Sequence, residues 1–149
     1  MFAATALFAI SGTSLGHEFK VAADINDPVT LRINIMKNVG QATEFLGKMM
    51  KGEADFNAQT ALASLMVINN AALGMDSLFP EGFESSVEST TAPAVWQNED
   101  GFDVAISKFI VDSGAAVAAK PADLDALGAV FGLVAGNCRS CHQDFRLRH

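Results

Sequence analysis

The stretch Leu124 to Phe145 reads LDALGAVFGLVAGNCRSCHQDF, and within it Leu124, Leu127, Phe131, Val134, Cys138, Cys141 and Phe145 recur every three or four residues. That period is the seam of an amphipathic helix. The seam carries Cys138-Arg139-Ser140-Cys141-His142, so two thiols and an imidazole leave one helix face within a single turn. C-x-x-C-H is the signature of covalent haem attachment: two thiols add across the porphyrin vinyl groups, and the next residue's imidazole turns under the iron. The chain has two cysteines, and both lie in this motif. A thioredoxin-like thiol pair would need a βαβ pattern that the surrounding sequence lacks. A structural zinc site would need four ligands, and the other histidines, His17 and His149, lie near the chain ends. A merely packed cysteine pair would leave His142 without a reason.

At 149 residues the chain suits one domain with a full core. Ten Lys and Arg against seventeen Asp and Glu give a net charge of −7, which disfavours nucleic acid and anionic membrane surfaces and permits a positively charged protein partner. An Ala-, Leu-, Val- and Phe-rich composition with four prolines and no tyrosine predicts an all-α fold. Met1 to Leu15 is apolar but too short to span a bilayer, and no later stretch has the length of a transmembrane span. Residues 1–23 read as an export signal or N-terminal arm, with cleavage after Gly16 or Ala23. No Lys or Arg precedes Lys20, so the basic leading region of such a signal is missing, as in a truncated start. Residues 24–149 form the domain.

Four helices are predicted in it. Asp27-Pro28 opens the first, whose apolar series Leu31, Ile35, Val39, Ala42, Leu46 and Met49 or Met50 runs to Lys51-Gly52. Gly40 and Gly47 allow close approach of a helix or a flat ligand. The second runs from an Asn57 cap to about Met75, with Leu62, Leu65, Met66, Asn69, Ala72 and Leu73 inward; one of Asn69 and Asn70 is expected to bond within the bundle. A long loop through Phe79-Pro80-Glu81-Gly82 and Glu84 to Thr91 leads to a third helix opened by Pro93 and ending near Lys120-Pro121, with Glu99, Asp100 and Asp103 on a solvated side. The fourth, from about Ala122, carries the motif. Two short connections and one long one imply an antiparallel four-helix bundle with the haem between helices.

The chain resembles the class II c-type cytochromes, the cytochrome c′ group. The resemblance spans about Asn26 to Arg146 and rests on Cys138-Arg139-Ser140-Cys141-His142-Gln143-Asp144-Phe145-Arg146 close to the C-terminus. Arg32-x-x-x-Met36-Lys37, Lys51-Gly52-Glu53, Leu78-Phe79-Pro80 and Trp96 support it. It implies one haem c per chain, with Cys138 and Cys141 as thioether anchors and His142 as proximal iron ligand. It implies Arg32 beside a propionate, Phe145 and Arg146 by the proximal side, and Met36 facing the iron's open side. If Met36 ligates, the haem is six-coordinate and suited to electron transfer; if not, a five-coordinate iron in an apolar pocket binds NO or CO. The sequence reading leans to a periplasmic electron carrier with an unidentified redox partner protein. Its alternatives are a gas-binding cytochrome c′ and, more remotely, a thiol redox protein. No catalytic constellation is present, so an enzyme is not expected. The resemblance also implies self-pairing through apolar positions on the first two helices.

Overall fold

The computed structural model describes residues 26–84 and 89–148. Four long helices pack as a bundle: α1 (Pro28–Met50), α2 (Ala58–Leu73), α4 (Glu99–Ala119) and α5 (Leu124–Phe145), with a one-turn helix, α3 (Ala94–Gln97), leading into α4. Neighbours in the chain are neighbours in space, and α5 closes the ring against α1. The expected all-α four-helix bundle is what forms. No described helix is long and apolar enough to cross a membrane. The leader read at residues 1–23 lies outside the described residues.

Local chemistry sets the helix ends. Asp27 accepts the N–H groups of Val29 (3.2 Å) and Thr30 (2.9 Å), and Pro28 fills the first helical position. At the far end of α1, Glu53 N–H donates to Lys48 O (2.9 Å) and Gly52 N–H to Met49 O (3.1 Å), a Schellman closure that needs the positive φ (72°) of Gly52. Asn57 caps α2 by accepting Thr60 N–H at 2.9 Å, and Asp123 caps α5 by accepting Ala126 N–H at 2.8 Å.

Two expectations need correction. The third helix is not continuous from Pro93: Asn98 leaves helical geometry (φ −138°, ψ 61°) and its side chain accepts Gly101 N–H, starting α4 afresh. On α2 the inward stripe is Ala61, Leu65, Ile68 and Ala72, whereas Met66 and Leu73 face outward. With apolar residues on several sides of this helix, periodicity alone did not single out the buried face. Asn69 does bond within the bundle, donating to Ser113 Oγ (3.0 Å), and Asn70 is exposed.

The core has two parts. Val39, Leu46 and Met49, Ala61, Leu65, Ile68 and Ala72, Phe109 and Ala116, and Leu127 and Val134 form one cluster drawn from all four long helices. Met75, Leu78, Val95, Phe102, Ile106 and Phe145 form the other, beside the connection between α2 and α4.

Candidate functional site

The second cluster does not close. A cavity of about 550 Å³ opens between α1 and α5, with α4 as its floor. That volume is in the range of small-molecule and cofactor sites. Cys138, Cys141, His142, Phe145 and Arg146 line it from α5 and the residue after it, and Arg32 and Met36 line it from α1. All seven residues singled out in the sequence therefore meet at one cavity. Phe102, Ile106 and Phe109 contribute its buried floor.

Periodicity explains why α5 presents its motif here. Leu127 and Val134 fix the helix in the closed part of the core, and continuing the same seam by three and four residues brings Cys138, Cys141 and Phe145 onto the cavity side. Phe145 is buried against Phe102 (ring centroids 5.2 Å), which meets Phe79 (4.9 Å), which meets Trp96 (6.2 Å). The end of α5 is strapped by the chain after the long connection: Ala92 N–H donates to Phe145 O (3.0 Å) and Leu147 N–H to Thr90 O (2.8 Å).

Both cysteines are free. Burial pushes the Cys138 thiol up, and burial, followed by the charges of Cys138 and Asp144, pushes Cys141 up to about 11. Thiols held protonated are poor redox nucleophiles, which counts against the thiol-exchange alternative. His142 is exposed, yet partial desolvation of its imidazole, then the positive charge of Arg146, lowers its pKa. The neutral imidazole, the form that ligates iron, is thereby favoured.

Arg32 is 3% exposed. Its guanidinium donates to Leu78 O (3.1 Å), Phe83 O (2.9 Å) and Ser89 Oγ (3.3 Å), and lies over the rings of Phe79 (5.0 Å) and Trp96 (5.9 Å). It thus holds the long connection against α1. Its Nε is buried and has no hydrogen-bond partner among the described residues, on a side chain that lines the cavity. A buried cationic side chain with an unpartnered donor, on a residue lining the cavity, fits a group bearing a carboxylate, and the thiol and imidazole set opposite fits an iron porphyrin.

Sequence reasoning missed Asn137 and Met75, which also line the cavity. Buried Asn137 donates to Asp112 (2.7 Å), itself paired with Lys108, and so ties the turn before Cys138 to α4. Hydrogen bonds from Lys108 and then Asn137 hold the Asp112 carboxyl below its ordinary value. The one available signal was a polar residue directly before a helical motif. Among the described residues no group of three or more His, Cys, Asp or Glu could hold a metal ion.

Comparison with known proteins points the same way. The family described as Cytochrome C′ matches residues 27–146. A cytochrome c-556 of Agrobacterium tumefaciens (strain apple 185) is 35% identical over 78% of this chain and 92% of its own. The solved structure of cytochrome c′ from Rhodopseudomonas palustris superposes with a TM-score of 0.77 at 33% identity, covering 82% of this chain and 97% of that one. Variants of cytochrome c′ from Alcaligenes xylosoxidans, one bound to carbon monoxide and one in complex with nitric oxide, superpose with a TM-score of 0.73 at 25% identity, covering 85% of this chain and 98% of theirs. Matched by the family over residues 27–146 and by relatives above 30% identity over nearly their whole length, this chain belongs to the cytochrome c′ family.

Proposed function

We propose that the protein carries one haem c, joined to Cys138 and Cys141 and ligated by His142, whose other axial side takes a small uncharged diatomic such as NO or CO. Members of this family carry electrons or bind gases and are not catalytic enzymes. The observation that supports the gas-binding reading is the cavity: beyond the motif its lining is mainly apolar, with Met36, Val39, Val95, Phe102, Ile106 and Phe109. Such walls admit uncharged diatomics and penalise water and anions, which would lose hydrogen bonds on entry. His142 is the single histidine among the described residues, so none of them offers a second imidazole. The relatives solved with CO and NO favour this reading over the electron-carrier reading to which the sequence leaned.

When bound, the haem supplies an iron that exchanges one electron and accepts an axial ligand. Arg32 would hold a propionate and Phe145 would pack against the porphyrin, while the charge of Arg146 acts on His142. Family membership and the apolar leader together favour a periplasmic location. Phe45 and Met50 on α1 and Met66, Val67 and Leu73 on α2 are exposed, which suits pairing with a second copy.

A second reading rests on Met36, which lines the same cavity as His142 and carries a thioether. As sixth ligand it would make a low-spin electron carrier. Ferrous absorption spectra with and without CO, on wild type and Met36→Ala, separate the two. The gas-binding reading predicts broad high-spin bands and a large CO shift in both proteins. Sharp bands indifferent to CO, made CO-responsive by Met36→Ala, would overturn it in favour of the second.

A further inference from the structure

Acids outnumber cations seventeen to ten in this chain, yet no Asp or Glu among the described residues lines the cavity, and Arg32, Lys37 and Arg146 do. Outside the cavity lining, the last two turns of α5 and the residues after it carry Arg139 and Arg148, both exposed, against Asp144 alone. The described ion pairs are Glu44–Lys48 and Lys108–Asp112, so among the described residues Lys37, Arg139, Arg146 and Arg148 have no carboxylate partner. The helix dipole accounts for cations at the C-terminal end of α5. It does not account for Lys37, in the middle of α1 on the opposite lip. Two propionates would neutralise part of this charge and leave the lip positive.

We propose that the lip of the cavity, formed by Lys37 on α1 and Arg146 after α5 and extended by exposed Arg139 and Arg148, which follow Cys138 by one residue and Arg146 by two, docks the acidic face of a one-electron redox protein. Net charge alone would have chosen a basic partner; the local field chooses an acidic one, and association rates follow the local field within a Debye length. The inference rests on the haem reading. It supplies what a gas-binding haem needs, because CO binds the ferrous state: the partner loses one electron and the ferric iron gains it.

The test uses the haem-loaded protein, reduced, with hexacyanoferrate(III) as anionic oxidant and tris(phenanthroline)cobalt(III) as cationic oxidant. Raising salt from about 10 mM to about 0.5 M is expected to slow the anionic reaction roughly tenfold and to speed the cationic one. Arg139→Glu with Arg148→Glu removes that dependence, whereas Lys51→Glu with Lys120→Glu, an equal change in net charge elsewhere, leaves it. Should the change at Arg139 hinder haem attachment, Arg148→Glu alone is expected to lose about half of the salt slope. Polyglutamate at low salt slows the anionic oxidation of wild type and not of the double variant. An anionic rate that rises with salt, or polyglutamate acting equally on both proteins, overturns the proposal. Colourless protein would instead defeat the haem reading before any rate was measured.

Discussion

The two halves of the bundle share four helices and differ in what fills them. In the closed half all four long helices contribute buried side chains, among them Leu46, Leu65, Ile68, Leu127 and Val134, each under 2% exposed. In the open half α2 has ended, and its place is taken by the connection held by Arg32, by aromatic rings and by the cavity. At roughly 24 cal/mol per Å³, a sealed dry void of this size would cost on the order of 10 kcal/mol, comparable to the whole net stability of a domain. This cavity opens to solvent and is lined for an occupant, which the proposed haem supplies. The difference teaches a division of labour: one half supplies stability and fixes the register of α1 and α5, and the other spends that rigidity on holding a site.

Removing the occupant is the strongest way to break the comparison. Cys138→Ala with Cys141→Ala forfeits the tether, and we expect a loss of about 5 kcal/mol. Calorimetry would read this as a drop of roughly 15 °C in Tm; an unchanged Tm would mean that the open half is stable without haem. Next in size, Leu65→Ala in the closed half is expected to cost about 3 kcal/mol by denaturant unfolding while leaving the ferrous spectrum as in wild type. A spectral change there would mean that the halves are not separate.

Asn137→Ala, at the boundary, is expected to cost about 1 kcal/mol and to alter the haem spectrum slightly, since it frees the turn before Cys138. Its pH dependence follows from Asp112. The folded carboxyl lies below its ordinary value of 3.8, so its contribution is complete above that value and is lost as pH falls through the folded pKa. The deficit of the variant is therefore constant at neutral pH and shrinks in acid, which an acid titration of stability would follow. Smallest of all, Glu44→Gln breaks an exposed pair with Lys48 and should leave the thermal midpoint within experimental scatter.

Much of the frame was legible because it is local. Asp27-Pro28, Asn57 and Gly52 mark helix ends by short-range chemistry, and the α5 seam is a period carried over six turns. The motif gathered its own cysteines and histidine for the same reason. What was not legible depends on contacts far apart in sequence. Asn98 breaks the third helix because its side chain out-competes one backbone turn, a choice that Pro93 as an apparent helix opener concealed. Arg32 was read for a propionate, but its three bonds to the distant connection are a tertiary fact, as is the strap of Thr90 and Ala92 on the end of α5. Asn137 and Ser113 look like ordinary polar residues until α4 and α2 are set beside them.

A porphyrin fixed to α5 by two carbon–sulfur bonds is tested most directly by intact-mass spectrometry of the denatured, haem-loaded protein. The expected polypeptide is heavier by one haem, with its colour retained after denaturation and neither cysteine open to alkylation. A polypeptide of unmodified mass, with both Cys138 and Cys141 alkylated and the colour lost to the solvent, would contradict it.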